Sequence, residues 1–385
     1  MAFIVDVGQE FPRGLEGVIA CKSAISAIDG DEGRLIYRGI PIEVLAEKST
    51  FEEASYLILF GELPKKDELE NFRRDLKENA PLSDDELSFM KSDSIPKTAH
   101  PMDVLRTMVS LLGVADKSIG TDPIDVKTER LKKIIAKIPT IIGAFHRIRE
   151  GKEPVAPSDE LPHAANFLYM MRGEKPGEEE ARIFDIALIL HIDHGMNAST
   201  FSGMVTASSL SDMYSAITSA IGTLKGPLHG GANERVLAML EEIGEPENAE
   251  EYVKNALAQK KKIMGFGHRV YKAYDPRARI LKGFAKKLAY DKGFGKLFEI
   301  AEKVEEAMIK NLSHKGIFPN VDFYSGIVYS ALGIPKDLFT PIFAMARVSG
   351  WAAHIIEYLH ENRIFRPRAI YNGPIEKEYV PIEMR

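Results

Sequence analysis

The sequence contains almost no cysteine and no hydrophobic run long enough to cross a bilayer. Its 385 residues include one cysteine, Cys21, which excludes an intramolecular disulfide and any zinc site built from several cysteines. The opening residues, MAFIVDV, carry neither a basic region nor a small-residue cleavage site, so no signal peptide is predicted. We therefore expect a cytoplasmic protein without a membrane partner.

The overall charge opposes binding to nucleic acid. The formal net charge is -6, and a polyanion would be repelled by it. Within 260–287, however, basic residues are frequent and Asp275 is the only acidic residue, which favours a compact phosphorylated ligand. Glutamine occurs only as Gln9 and Gln259 while lysine and glutamate are abundant. This composition favours a thermophilic source.

Hydrophobic periodicity predicts a mainly α-helical protein. The length is sufficient for two domains. Strand patterns are confined to 24–28 and 34–37, which flank DGDEG at 29–33 and predict a small N-terminal β-hairpin. Farther along, apolar residues recur at helical spacing, as in 297–312, without alternating strand and helix units. The sequence therefore predicts helices packed on helices, apart from that hairpin.

Several local signals mark where helices begin, end or bend. Thr50 followed by Glu53 is typical of a capping box, and Gly61 with Pro64 ends the helix that this box begins. Pro139 falls inside the apolar stripe of 131–145 and predicts a kink there. From Arg366 onward, three prolines predict an extended arm.

The segment GFGHRVYK at 265–272, followed by Asp275, Pro276 and Arg277, combines features that bind a carboxylate. Asp275 suits a helix N-cap and Pro276 the first helical position, which places Arg277 in the first turn. Backbone N–H groups, a helix N-terminus and a guanidinium all favour an anion, and His268 supplies a further donor. Taken alone, the pattern favours a capped helix beside a surface histidine over a ligand site.

Two other segments carry residues suited to acid–base chemistry. GPLHGGANE at 226–234 places His229 in a glycine-rich bend, and NVDFYSG at 320–326 places Asp322 where a loop meets a helix. From the residues alone, Asp322 is equally well explained as a catalytic base or as the N-cap of a helix that begins near Phe323.

These three segments, in this order and over this distance, resemble the citrate synthase family, and the resemblance extends from the IDG of 28–30 to the RPR of 366–368. It implies a two-domain helical fold, with a large domain formed by 1–230 and 334–385 and a small domain formed by 231–333. It also implies a homodimer whose interface includes the small-residue segment 211–222.

The resemblance further implies an acyltransferase that condenses acetyl-CoA with oxaloacetate and water to give citrate and CoA. Acetyl-CoA would be a co-substrate, with no permanently bound cofactor and no metal. The implied catalytic residues are His229, His268 and Asp322. The implied oxaloacetate ligands are His194, Arg277, Arg347 and Arg366, of which Arg366 would come from the opposite subunit. The implied CoA-site residues are Lys262, Gly265, Gly267, Arg269 and Lys272.

Residues 191–195 and 265–267 also allow other interpretations. His191 and His194, with Asp193 between them, could begin a metal site, but the resemblance gives His194 a substrate role and makes His191 a buried supporting group. Gly195 departs from the family's usual glutamate, which leaves open how His194 is oriented. The GFG at 265–267 lacks the third glycine and preceding strand of a dinucleotide site.

The sequence is also compatible with two rival functions. A 2-methylcitrate synthase would use propionyl-CoA with the same residues, because one methylene changes discrimination by only roughly 1–3 kcal/mol. A non-catalytic helical dimer could bind a dicarboxylate through the arginines, although His229, His268 and Asp322 together argue against it.

Overall fold

The computed structural model describes residues 11–120 and 122–385, and these ranges are mainly helical, as predicted. They contain one small sheet of strands β1 (Ser26–Asp29), β2 (Arg34–Tyr37) and β3 (Ile40–Pro41). The helices are α1 (Ile42–Lys48), α2 (Phe51–Phe60), α3 (Lys66–Asn79), α4 (Asp84–Lys91), α5 (Pro101–Ala115), α6 (Ile124–Arg149), α7 (His163–Arg172), α8 (Glu178–His191), α9 (Ala198–Ser208), α10 (Met213–Leu224), α11 (Ala232–Ile243), α12 (Ala249–Ala258), α13 (Pro276–Asp291), α14 (Gly295–Leu312), α15 (Val321–Ala331) and α16 (Phe339–His360). Short 3₁₀ turns lie at Arg13–Leu15, Pro246–Asn248, Ser313–Lys315, Lys336–Leu338 and Ile382–Met384.

The sheet confirms the predicted hairpin and adds a strand that the pattern did not reveal. β1 and β2 pair antiparallel, with Ser26 opposite Tyr37 and Asp29 opposite Arg34. β3 pairs with the other edge of β2 over two residues, too few to produce a recognisable alternation. The hairpin contacts two segments, one at 193–195 and one at 272–273.

The predicted ends of α2 are confirmed, whereas its capping box is only half formed. The Thr50 side chain accepts a hydrogen bond from the Glu53 N–H at 3.3 Å, and Gly61 ends the helix with φ 96°, a conformation that glycine adopts without steric cost. The Glu53 carboxylate accepts instead from the Ser49 hydroxyl at 2.7 Å. The cap is therefore shared between two side chains that precede the helix.

The two longest helices, α6 and α16, pack against each other in the core. α6 continues as a single helix across Pro139, so the proline does not divide the element. α16 packs against α2, α6, α8 and α9 and buries Trp351 fully. Its Arg347 is also almost entirely buried, 1% exposed, which requires a dedicated set of partners.

The helices α11 to α15 pack chiefly on one another, with α13 against α15 and α12 against α14. They span most of 231–333, the predicted small domain, whose division from the rest of the chain stays a prediction. Beyond α16 the chain is mostly extended, with one 3₁₀ turn near its end. No helix in the described ranges has the length and apolar character needed to span a membrane.

Candidate active site

Two histidines from distant parts of the sequence meet face to edge. His194 follows the end of α8 and His268 lies in the loop before α13, and their ring centroids are 4.8 Å apart. The Tyr271 ring contacts both, at 5.3 Å from His194 and 4.9 Å from His268. Burial, the Arg277 charge and the neighbouring His268 hold the pKa of His194 well below its usual value. Its buried Nε2 atom has no hydrogen-bond partner among the described residues and is therefore free to bind a ligand.

The backbone fixes the protonation state of His268. The N–H groups of Val270 and Tyr271 point at His268 Nδ1, at 3.0 and 3.3 Å, so Nδ1 must accept and the proton resides on Nε2. Burial, reinforced by the Arg277 charge, lowers the pKa of His268 to about 4. His268 is thus a neutral imidazole with Nε2–H available as a donor.

Arg277 lies at the N-terminus of α13, as predicted, and is paired within the same turn. Asp275 caps the helix by accepting from the Arg277 N–H at 3.0 Å, and its two carboxylate oxygens accept from Arg277 Nε at 3.0 Å and Nη2 at 2.8 Å. Both residues are at most 2% exposed. The same carboxylate accepts from the Val321 N–H at 3.2 Å, which joins the arginine to the start of α15.

Asp322 is not the N-cap of its helix, so that alternative is wrong. The cap is Asn320, whose side chain accepts from the Asp322 N–H at 3.1 Å, and α15 begins at Val321. The amide of Asn320 also donates to the Gly267 carbonyl at 3.1 Å and thereby joins the Asp322 segment to the His268 loop.

The carboxyl group of Asp322 is left without a partner. Its Oδ1 is buried and accepts no hydrogen bond from the described residues. Burial raises the pKa of Asp322 to about 7, although the Arg277 charge opposes the shift. A carboxylate that is poorly solvated and unpaired, with a pKa near neutrality, is suited to take a proton from carbon.

His229 lies in the turn between α10 and α11 and is oriented by Ser199 at the start of α9. The Ser199 N–H donates to His229 Nε2 at 3.3 Å, and the Ser199 hydroxyl lies 2.8 Å from the same nitrogen. Nε2 is therefore an acceptor and the proton resides on Nδ1. Burial, with the Arg347 charge, lowers the pKa of His229 to about 4, so the ring is neutral. The Ser199 hydroxyl itself accepts from the indole of Trp351 at 3.1 Å.

Arg347 lies in the middle of α16, and its positive charge opposes the rise in the pKa of Asp322 and helps to lower the pKa of His229. Its Nε donates to the His191 carbonyl at 2.8 Å, and its guanidinium stacks 4.7 Å from the Phe343 ring centroid. Burial lowers the pKa of Arg347 to about 10, so it still carries a positive charge at neutral pH. Since one nitrogen suffices to hold the side chain, the remaining N–H groups are available for an anion.

His191 supports the site from the core and does not face it. Its ring is 1% exposed and packs against Phe343 and Tyr329, with Nδ1 2.7 Å from the Ala187 carbonyl. Burial lowers the pKa of His191 to about 3. Among residues 11–120 and 122–385, no group of three or more histidine, cysteine or acidic side chains is arranged to hold a metal ion.

The segment after His194 is shaped by Gly195 and Asp193. Gly195 has φ 58°, which favours glycine, and its N–H donates to the Asp193 carboxylate at 3.0 Å. Asp193 is fully buried and lies 3.2 Å from His354 Nε2 on α16. The carboxylate of Asp193 thus supplies hydrogen bonding that holds the turn carrying His194.

The residues predicted for a CoA site lie within 262–272, the segment that also carries His268. Lys262, Arg269 and Lys272 are exposed, and none of the three forms a salt bridge with another described residue. Gly265 and Gly267 have φ of 78° and 82°. A Cβ on Gly265 would lie 2.8 Å from the Phe323 ring, so this glycine lets the loop pack against α15.

Arg366 is the one predicted substrate residue that the chain does not bring to the cluster. It lies exposed in the C-terminal arm, where its Nη1 donates to the Pro367 carbonyl at 2.9 Å.

Ser199 and Glu305 are supporting residues that the motifs did not reveal. Glu305, on α14, accepts hydrogen bonds from the phenols of Tyr274, at 2.7 Å, and Tyr324, and from Lys282 at 2.8 Å. It therefore ties the turn before Arg277 to the helix that begins beside Asp322. Neither residue stands in a motif, and only the helix packing makes their roles visible.

Known proteins are similar in sequence to this chain over nearly its whole length. The family model described as "Citrate synthase, C-terminal domain" matches residues 14–368. A citrate synthase of Deinococcus radiodurans is 50% identical, covering 97% of this chain and 98% of the relative, and a citrate/2-methylcitrate synthase of Bacillus subtilis is 42% identical, covering 95% and 97%. The solved citrate synthase of Thermoplasma acidophilum, in a ternary complex with carboxymethyl coenzyme A and oxaloacetate, is 38% identical, with a TM-score of 0.93 over 98% of this chain and 100% of that one. On this evidence the chain belongs to the citrate synthase family.

Proposed function

We propose that this enzyme condenses acetyl-CoA with oxaloacetate and water to give citrate and CoA, with His229, His268 and Asp322 as its catalytic residues. The family assignment supports the reaction, which makes the chain an acyltransferase. Acetyl-CoA enters as a co-substrate. The residue roles follow from the protonation states and from the groups that remain unpaired.

Oxaloacetate carries two carboxylates and a ketone, and the site offers matching groups. Arg277 and Arg347 are buried guanidinium groups, which bind carboxylates with both strength and orientation. His268 Nε2–H is the donor for the ketone oxygen, and His194 Nε2 is a further contact. When the new carbon–carbon bond forms, His268 gives its proton to the oxygen that develops negative charge.

Removal of a proton from the acetyl methyl group needs a base and a donor that act together. Asp322 accepts the proton, and His229 Nδ1–H donates a hydrogen bond to the thioester oxygen, so the enol forms without a full negative charge. A neutral donor matches this need, because the pKa of His229 is lowered to about 4. Hydrolysis of the resulting thioester then releases citrate and CoA.

The single observation that carries this assignment is the unpaired Asp322 carboxyl, with a pKa near 7, in the same cluster as two imidazoles of fixed tautomer. A free-thiol assay with acetyl-CoA, with and without oxaloacetate, tests it directly. Thiol release that requires oxaloacetate is expected. Oxaloacetate binding without any thiol release would instead indicate a non-catalytic dicarboxylate-binding protein.

A 2-methylcitrate synthase is the second candidate, because one relative at 42% identity is named for both activities. The same assay with propionyl-CoA separates the two functions. A higher kcat/KM for acetyl-CoA supports the first proposal, and a higher value for propionyl-CoA supports the second.

The proposal extends to the assembly and to the CoA contacts. We expect a homodimer in which Arg366 of each chain serves the opposite site, since its own chain leaves it exposed in the arm. Lys262, Arg269 and Lys272 are the expected partners of the CoA phosphates, on a loop shaped by Gly265 and Gly267. The two-domain division, a cytoplasmic location and a thermophilic source remain predictions of the sequence.

A further inference from the structure

The β1–β2 hairpin contacts both histidine segments of the proposed oxaloacetate site. Nothing in the proposed chemistry uses this hairpin, yet its two ends lie against different parts of the chain. Ser26 and Tyr37, which face each other at the open end, contact the segment that carries His194. Gly30, at the tip, contacts the loop that carries His268.

At the open end the hairpin binds the residues on both sides of His194. The Ser26 hydroxyl donates to the Asp193 carboxylate at 2.5 Å and accepts from the Gly195 N–H at 3.2 Å. The Tyr37 hydroxyl donates to the Asp193 carbonyl at 3.0 Å and accepts from the Asp193 N–H at 3.2 Å. The peptide groups before and after His194 are thus both attached to the hairpin, which restricts how the imidazole can turn.

At the tip the contact is between backbones. The Gly30 carbonyl accepts from the N–H groups of Lys272, at 2.8 Å, and Ala273, at 3.2 Å. A Cβ on Gly30 would lie 2.2 Å from the Val270 carbonyl oxygen, far inside van der Waals contact, so any other residue would displace the loop. Val270 is itself one of the two N–H donors that fix the His268 ring.

Gly30 follows Ser26 by four positions along the chain, a span of roughly 13 Å in an extended strand. The strand is stiffened by its pairing with β2, while the rings that it controls are 4.8 Å apart. We propose that the hairpin is a clamp that sets the separation of His194 and His268, with Ser26 and Gly30 as positioning residues for oxaloacetate.

This inference rests on the proposed function, and steady-state kinetics of four single variants test it. Ser26→Ala removes one attachment and Gly30→Ala the other, while Ser26→Thr keeps the hydroxyl. Asp31→Ala is the matched control, because Asp31 is an exposed residue of the same turn. The quantities to measure are kcat, the KM for each substrate, the calorimetric Kd for oxaloacetate and the Tm.

Misplacement of a binding group by about 1 Å costs up to about 100-fold, so Ser26→Ala and Gly30→Ala are each expected to raise the KM and Kd for oxaloacetate by about 10-fold or more. The KM for acetyl-CoA at saturating oxaloacetate should change little. Ser26→Thr should restore most of the affinity, and Asp31→Ala should match the wild type. A purely structural role would lower the Tm without this difference between the two substrates.

The double variant Ser26→Ala/Gly30→Ala provides the decisive comparison. Changes at sites this far apart are normally additive in free energy, so their fold-effects multiply. A clamp is disabled when either attachment is lost. The double variant should therefore bind oxaloacetate no more weakly than the more impaired of the two single variants. Multiplied losses would overturn the clamp, as would unaltered oxaloacetate affinity in both single variants.

Two further measurements keep the outcome clear. If Gly30→Ala does not fold, Tyr37→Phe tests the open-end attachment independently, because that change removes the second hydroxyl bound to Asp193. Wild-type oxaloacetate affinity in both Ser26→Ala and Tyr37→Phe would then reject the inference. The proposed function fails separately, through absence of oxaloacetate-dependent thiol release in the wild-type protein.

Discussion

The Ser199 N–H and hydroxyl both face His229 Nε2, at 3.3 and 2.8 Å. Because the backbone N–H can only donate, it leaves the proton on His229 Nδ1, and the ring orientation directs that nitrogen away from Ser199. The Trp351 indole donates to the Ser199 hydroxyl at 3.1 Å, and the Asn197 side-chain oxygen lies 2.8 Å from the same hydroxyl. The orientation of one proposed catalytic group is therefore set by a hydroxyl fixed on two sides.

We expect Ser199→Ala to lower kcat while oxaloacetate affinity is retained. The backbone N–H of residue 199 still selects the tautomer, but the ring loses its second restraint, and a poorly placed donor costs about 10- to 100-fold in rate. Single-turnover thiol release and calorimetry with oxaloacetate measure the two effects. Ser202→Ala on the same helix, which removes a hydrogen bond to Ser219, is the control. An unchanged kcat for Ser199→Ala would argue against the role of His229 as donor.

Asp322→Asn should retain oxaloacetate binding and lose thiol release. The amide is nearly isosteric with the carboxyl group but cannot accept the methyl proton, and loss of a general base typically costs 10²- to 10⁴-fold. Calorimetry and the thiol assay on the same preparation provide the test. Near-normal turnover would remove Asp322 from the mechanism.

The activity of the wild-type protein should rise with pH through about 7. Burial raises the pKa of Asp322 to about 7, and the base must be ionised, whereas His229 and His268 are already neutral well below that pH. The kcat/KM for acetyl-CoA at saturating oxaloacetate should therefore show one rising limb with an apparent pKa near 7. A limb near 4 would indicate that the carboxyl is not desolvated in the working enzyme.

Asp322 should also make the wild-type protein less stable as the pH rises. Its pKa is raised from 3.8 to about 7 on folding, so its contribution is fully present below the unfolded value and is lost as the pH rises towards 7. Relative to the wild type, the free energy of unfolding of Asp322→Asn should increase by at most about 1.4 kcal/mol per pH unit between pH 3.8 and about 7. Above that range the difference should stay constant. Urea denaturation across the window measures the difference.

Asp337→Asn supplies a control of opposite sign. The ion pair with Arg149 lowers the pKa of Asp337 even though burial opposes it, so its contribution is present at neutral pH and is lost as the pH falls through the folded pKa. This substitution should therefore destabilise the protein at neutral pH. A gain that grows with pH for both substitutions would show that the two carboxyl groups do not differ as described.

The sequence predicted the elements that rest on local chemistry. The hairpin, the Thr50 cap, the glycine end of α2 and the Asp275–Pro276 start of α13 each depend on a few adjacent residues and are confirmed. The three motifs also led to the correct family. The Asp322 cap was wrong as an alternative because the preceding Asn320 takes that position.

The other features of the site depend on how segments distant in the sequence pack together, which no local pattern predicts. Ser199 is ordinary in its own helix, and its role exists only because α9 starts beside the turn that carries His229. The contacts of Gly30 likewise depend on a loop some 240 residues farther along, joined to it by backbone groups, and backbone pairing between segments so remote leaves no periodic signal. The protonation of each histidine also depends on which N–H groups point at it.

Oxaloacetate should tighten the binding of CoA analogues. The proposed substrate and catalytic residues lie on both sides of the predicted domain joins at 231 and 333, so a bound oxaloacetate would draw the two parts together and exclude water from the enol step. Calorimetry with a non-reactive CoA thioether, with and without oxaloacetate, measures the coupling, which by linkage must act equally in both directions. Equal affinity in both experiments would contradict an ordered assembly. Arg277→Lys, which keeps the charge but not the paired geometry, should weaken the coupling.

The last prediction concerns Arg366, which the chain leaves exposed in its C-terminal arm. If it serves the opposite site of a two-fold dimer, Arg366→Ala and Asp322→Asn homodimers should each be nearly inactive. In a mixed dimer one site carries both changes, whereas the other combines an intact Asp322 with an intact Arg366 from its neighbour. Random reassortment after co-refolding should thus restore roughly a quarter of the wild-type sites. Exchange of subunits confirmed by mass spectrometry, with no return of activity, would place Arg366 within its own site or outside the mechanism altogether.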